Sequence, residues 1–282
     1  MALICILIGI IFDRSSDILE NRRNLDWFDQ YSRWMLKNMP GLNSQGYSSI
    51  VILLLPVMIL VGIIQNWIGG NSYAVIELIF ALSIFAFCLG PRDLSRQINR
   101  YLDARKNGNE AAAINEASAI MLSDAPEAPD QQTIEVLRGV LHAANDRFFA
   151  VIFWFVLLGP FGALLYRLSS HTRYSSDNAN LIKAARQLQA IMAWAPAHLV
   201  AIGYALTGNY EGAKQEFYNK NKQEDLADCN YHTLITAGQG ALKDCTPGDE
   251  SACIHSAQSL VLRTLIAWLA VIGALTLMGW MS

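Results

Sequence analysis

The chain has 282 residues, 53% of them apolar, with a mean hydropathy of +0.25 and a formal charge of −3. These values fit a membrane protein with a substantial soluble part, and they exclude the strongly basic surface of a nucleic-acid binder. The five cysteines form no CxxC pair, so no zinc or redox motif is present, and Cys5 and Cys88 lie in apolar runs as packing residues.

Residues 1–12 are apolar and uncharged but span only about half a bilayer. They lack the basic start and small-residue cleavage site of a signal peptide, so a retained helix is expected, partly inserted or packed on the bundle. Residues 13–37 hold five basic and five acidic side chains with Trp27, Phe28, Tyr31 and Trp34 among them. Leu25, Phe28, Ser32 and Met35 recur at helical spacing, which predicts an amphipathic helix at the interface or against the soluble part. From Asn38 to Pro91 the one charged residue is Glu77. Ser48 to Trp67 and Tyr73 to Leu89 read as two spans around a Gly69-Gly70-Asn71 turn, which makes a membrane hairpin.

Residues 92–147 are soluble in character. Leu94, Ile98, Tyr101 and Leu102 mark a helix ended by Gly108, Asn109 is placed to cap the next helix, and residues 123–130 read as a proline-containing loop. Ile134, Leu137 and Leu141 begin an amphipathic helix that leads into the middle of the chain. Seven basic residues here and five in 13–37, against none in the hairpin turn, put both charged segments in the cytoplasm by the positive-inside rule.

The central run, FFAVIFWFVLLGPFGALLYRL at 148–168, has nineteen uncharged residues between Arg147 and Arg167. An arginine at each end is placed to snorkel to the headgroups, and Tyr166 reads as an interfacial aromatic. Gly159-Pro160 should kink or break it, and a broken helix at membrane depth needs protein or a water-filled cavity around it. The run either crosses fully or dips and returns. The second reading keeps both soluble flanks in the cytoplasm, and labelling of Cys245 in intact cells would decide against it.

Residues 169–180 read as a polar loop. Leu181, Ala184, Leu188, Ile191 and Ala195 mark a helix stopped by Pro196, and Trp194 to Leu206 reads as a short helix packed against the bundle. GYALTGNYEGAKQEF has the look of a single tetratricopeptide-type turn and predicts an ordinary helix pair. Asn230 to Leu242 gives a further helix. Ser256 to Met281, uncharged after Arg263, reads as a transmembrane helix.

The expected fold class is all-α: a polytopic helical membrane protein with a kinked or re-entrant central helix and a helical soluble part. Its expected parts are 1–47 (partly inserted and interfacial helices), 48–91 (transmembrane hairpin), 92–147 (cytoplasmic helices), 148–168 (kinked or re-entrant segment), 169–255 (soluble helices) and 256–282 (C-terminal span). No Walker loop, HExxH, GxSxG or Cys/His cluster occurs. No catalytic residue, metal set or cofactor is therefore assigned. The candidate ligand-binding residues are His142, Asp146, Arg147, Tyr166, Arg167, Arg186 and His198. His142 and Asp146 are four apart on one helix face, a spacing fit for acid/base work or a metal as well as for an ordinary surface pair. Arg186 and His198 lie on one amphipathic stretch. The expected partners are the lipid bilayer and a small-molecule or protein partner, with no nucleic acid.

The stretch HAANDRFFAVIFWFVLLGPFGALLYRL, from His142 to Leu168, closely resembles the AmpE family, as do the GPRDLSRQ turn after Cys88 and the C-terminal span. The resemblance implies a bacterial inner-membrane signalling protein associated with β-lactamase induction and cell-wall recycling. A more distant similarity runs to the CobD/CbiB cobalamin-biosynthesis membrane proteins, which implies an ATP-using, amide-forming enzyme. Asp146, Ala150, Phe153, Ala163 and Tyr166-Arg167 look similar to that family's central segment, and Ala184-Ala185-Arg186 and Trp194-Ala195-Pro196 to a second motif. The chain departs from it in having SSHTRYSSD in place of an NTLDSMVGY-like run and Gln187-Leu188 in place of an acidic pair. It also lacks the leading glutamate of ENTVDG.

Overall fold

The structure is a computed structural model that describes residues 2–15, 25–39, 46–69, 74–89, 94–176, 178–218, 225–242 and 250–279. Every regular element among them is helical: α1 (Ala2–Ser15), α2 (Asp26–Asn38), α3 (Gly46–Gly69), α4 (Ala74–Cys88), α5 (Leu94–Lys106), α6 (Glu110–Met121), α7 (Pro129–Ala144), a π-helical turn (Asn145–Phe149), α8 (Ala150–Ser175), α9 (Ala179–Thr207), α10 (Tyr210–Tyr218), α11 (Leu226–Ala241) and α12 (Glu250–Leu277). The chain is an all-α, multi-pass membrane protein. Tyr47–Gly69, Gln131–Ser175, Ala179–Thr207 and Ser251–Leu277 are long and apolar enough to cross a bilayer, and Val75–Cys88 is a shorter apolar helix. The Gly69-Gly70-Asn71 turn and Cys245 lie wholly or partly outside the described residues.

Two compact units form, each from separated stretches of chain. The first takes Met1–Pro91, Ala150–Ala193 and Leu275–Ser282. Here α1 packs through buried Cys5 and Ile6, while Ile4, Leu7, Ile8 and Ile11 remain exposed as an apolar face. A side chain at Gly9 would collide with the Phe85 ring, so α1 lies close against α4. The amphipathic reading of α2 holds: Leu25, Phe28, Ser32 and Met35 are buried and Trp27 and Trp34 exposed. Along α3 a line of exposed residues including Val51, Leu55, Ile59 and Ile63 leaves an apolar face for lipid. Pro56 lies inside α3 and removes a backbone donor, and nearby Leu53 O accepts the Tyr31 hydroxyl of α2 at 3.1 Å.

The second unit takes Arg92–Phe149 and Trp194–Ala274. Its core joins Ile98 and Tyr101 of α5, Val136 and Val140 of α7, Tyr204 of α9 and Leu234 of α11. Each such large apolar side chain contributes about 1.5–3 kcal/mol by burial. Asn109 Oδ1 accepts from Ala112 N at 3.1 Å and caps α6, as its place in the sequence predicts. The α9–α10 turn at Gly208 and Asn209 is an ordinary helix pair; Asn209 Oδ1 accepts from Gly212 N, and its own N–H donates to Ala241 O.

Three local expectations are corrected. Pro129 is not loop but opens α7, where a missing N–H costs nothing, and α7 buries Val136 and Val140 while Ile134 is exposed. Ser169 to Ser175 is the end of α8 and not a loop, because the hydroxyls turn back on the helix: Ser169 Oγ donates to Tyr166 O and Thr172 Oγ1 to Leu168 O, both at 2.8 Å. Pro196 does not stop a helix, since α9 runs 29 residues through it. Proline at 196 leaves Met192 O without its usual donor four residues on, and Trp154 Nε1 donates to that oxygen at 3.0 Å instead.

Candidate functional site

The central segment departs from α-helix twice. The first departure is at Gly159, where φ 65° and ψ −152° lie in a region essentially closed to side chains. Pro160 follows and starts a second arm. A Cβ on Gly162 would lie 2.5 Å from Trp154 O, eight residues earlier, so the second arm begins beside the first and not beyond it. Both arms then lead the same way. The apex meets Gln65 near the end of α3. Twelve residues back along α3, about 18 Å away, Leu53 O holds Tyr31 of α2. From that same α2, Asp29 Oδ1 holds His171 Nε2 at 2.8 Å and Ser175 Oγ at 2.9 Å, from the far end of the second arm. In the first arm, Phe155 stacks on Phe85 at 4.7 Å, near the end of α4. The segment is a helical hairpin.

A broken ladder at the apex exposes backbone groups that lipid cannot satisfy. Gln65 supplies both partners: its Oε1 accepts from Phe161 N at 3.1 Å and its Nε2 donates to Leu158 O at 3.4 Å. One neutral amide thus bridges the two arms.

The second departure is the π-turn at Asn145–Phe149, which inserts a wide turn between α7 and α8. Asn145, Asp146 and Arg147 are all less than a tenth exposed there. A buried guanidinium costs several kcal/mol unless its donors are met. Arg147 Nη1 donates to Gln97 Oε1 of α5, and Nη2 donates at 3.1 Å to Ala119 O, in the last turn of α6, where carbonyls lack helical partners and cations are favoured. Asn145 Nδ2 donates to Asp146 Oδ1 at 3.4 Å, while Asn145 Oδ1 is buried with no hydrogen-bond partner among the described residues. At the other end of α7, Tyr101 OH donates to Gln132 Oε1 and Gln132 Nε2 to Pro126 O. Phe149 closes the turn with edge contacts to Tyr204 and Trp268.

The candidate residues divide between the units. His142, Asp146, Arg147 and His198 belong to the second, and Tyr166, Arg167 and Arg186 to the first. Arg147 does not snorkel, because Gln97 and Ala119 O hold it inside protein. Tyr166 is fully buried and is not an interfacial aromatic. The His142 ring lies 5.2 Å from that of Tyr231, whose hydroxyl pKa burial raises, with Glu135 adding and Arg138 opposing. His198 Nδ1 bonds Trp194 O at 2.7 Å within its own helix. Arg167 and Arg186 are half-buried and engaged. Among the described residues no group of three His, Cys, Asp or Glu could hold a metal ion. Gln65 and Gln97 escaped the sequence reading. Gln65 carries a signal, a carboxamide next to Asn66 in an otherwise apolar run; Gln97 carries none.

The family description "Regulatory signalling modulator protein AmpE" matches residues 1–282. Two proteins named Cobalamin biosynthesis protein CobD are also similar. The one from Stutzerimonas stutzeri is 27% identical over 209 residues, 72% of this chain and 66% of its own length. That from Chromobacterium violaceum is 25% identical over 204 residues, 70% and 63%. The chain thus spans just under two thirds of these relatives. No solved structure matches.

Proposed function

The chain belongs to the AmpE family of regulatory signalling modulators, and on that premise we propose that it serves β-lactamase induction and cell-wall recycling from the bacterial inner membrane. It acts by binding a small molecule or protein partner at the cytoplasmic face. The observation that carries this reading is the match over the full 282 residues. Support from the fold is the burial of Asp146 and of Arg147 at a π-turn, a helical irregularity found often at functional sites. His142, Asp146, Arg147, Tyr166, Arg167, Arg186 and His198 are the proposed ligand contacts, and the hairpin is proposed to enter and leave the membrane on one side.

The test is β-lactamase induction by a β-lactam in a deletion strain carrying wild-type, Asp146→Asn or Arg147→Gln chains at equal membrane levels. Restored induction with wild type and impaired induction with the variants is expected. Unchanged induction after deletion sinks the reading. Labelling of Cys229 by an impermeant thiol reagent in intact cells would overturn the cytoplasmic placement.

The second reading, an amide-forming enzyme, is favoured by the two CobD relatives. Rescue of cobalamin synthesis in a strain lacking CobD would establish it. The departures at Gln187-Leu188 and SSHTRYSSD argue for no rescue.

A further inference from the structure

A second polar site lies within the first unit, away from the π-turn. A cavity of about 370 Å³ opens between α2 and the junction of α8 and α9. Phe28 and Leu36 give it apolar wall. Ser32, Thr172, Ser175 and Ser176 add hydroxyls, and Arg33, an exposed residue, adds a guanidinium. Asp29 also lines it, with His171 and Ser175 bonded to its Oδ1.

The depth of this cavity is fixed by its walls. Thr172 and Ser175 end α8, and Asn178 precedes α9, so the cavity sits where apolar helices give way to polar chain. α2 carries its buried stripe on one side and exposed Trp27 and Trp34 on another, the disposition of a helix at the headgroup layer. A molecule filling the cavity there meets one cation, several hydroxyls, a carboxylate already engaged by a histidine, and an apolar wall.

We infer that this cavity binds the headgroup of an anionic phosphoglycerol lipid. Arg33 takes the phosphate, the serine and threonine oxygens and Asp29 take the glycerol hydroxyls, and Phe28 and Leu36 meet the first carbons of the tails. The lipid is the source and not a soluble phosphate, because the apolar wall and the tryptophan face would be wasted on a free ion. Phosphatidylethanolamine offers Arg33 the same phosphate, but its ammonium offsets that attraction and it has no glycerol hydroxyls for Ser32, Thr172 and Ser175, so phosphatidylglycerol is preferred over phosphatidylethanolamine.

The test is native mass spectrometry of the full chain released from nanodiscs of equal phosphatidylglycerol and phosphatidylethanolamine. Wild type retains phosphatidylglycerol preferentially. Arg33→Gln, at an exposed position that leaves the packing intact, lowers phosphatidylglycerol retention about five- to tenfold and phosphatidylethanolamine retention less. Ser175→Ala lowers phosphatidylglycerol retention less than Arg33→Gln does. A lack of headgroup preference in wild type, or full retention by both variants, overturns the site. Displacement of the lipid by millimolar sn-glycerol phosphate, but not by inorganic phosphate, overturns the lipid as occupant in favour of a soluble phosphopolyol. Displacement by inorganic phosphate overturns the polyol recognition too.

Discussion

The hairpin apex at Gly159 and the π-turn centred on Arg147 are both breaks in one helical run, twelve residues apart, yet they are repaired for opposite reasons. At the apex the backbone is the problem, since Gly159-Pro160 interrupts the ladder, and Gln65 answers it with one acceptor and one donor. At the π-turn a charged side chain is the problem, and Gln97 answers Arg147 with an acceptor alone. A carboxamide serves both because it is neutral and offers both polarities. A carboxylate at 65 would repel Leu158 O, and a lysine at 97 would repel the guanidinium. The contrast predicts that the π-turn tolerates loss of its partner less well, since the donor left unmet there belongs to a charged group.

Substitutions can break this contrast in graded steps, each read as a shift in thermal unfolding in detergent or nanodiscs. Phe149→Ala strips the ring that closes the π-turn and should cost about 3–5 kcal/mol, the largest effect. Gln97→Leu should cost about 1.5–3 kcal/mol by removing the acceptor of the buried Arg147 Nη1, and most of that loss should return in a Gln97→Leu/Arg147→Met double variant. A double variant as unstable as the sum of the singles would show that the pair is not coupled. Gln65→Leu should cost less, about 1–2 kcal/mol, because hydrogen bonds in membrane proteins measure small and the stranded groups are uncharged. Asn109→Ala, a cap far from either break, should cost about 1 kcal/mol and leave both comparisons untouched. A Gln65→Leu loss exceeding that of Gln97→Leu would invert the contrast.

The amphipathic pattern of α2, the spans of α3 and α12, the cap at Asn109 and the break at Gly159-Pro160 were all legible, because each rests on local periodicity or on one residue's backbone chemistry. The continuation of α9 through Pro196 was not, since its repair comes from Trp154, far away in sequence. The same holds for Arg147. Its place at the end of an apolar run reads as a lipid anchor, and only the folded neighbours Gln97 and Ala119 reveal it as interior. Asp29, His171 and Ser175 meet only once the hairpin has folded back, which no spacing along the chain announces.

The imino acid at 196 has a mechanical result. Along its 29 residues α9 is held at Gln189, which meets Arg173 and Ser170, and at Tyr204, whose hydroxyl meets Leu141 O. Pro196 cuts a notch at the carbonyl of Met192, and the indole of Trp154 seats there like a pin in a keyway. Replacing that proline with alanine would return a helical N–H to Met192 O and unseat the indole, a change that the fluorescence of Trp154 would register.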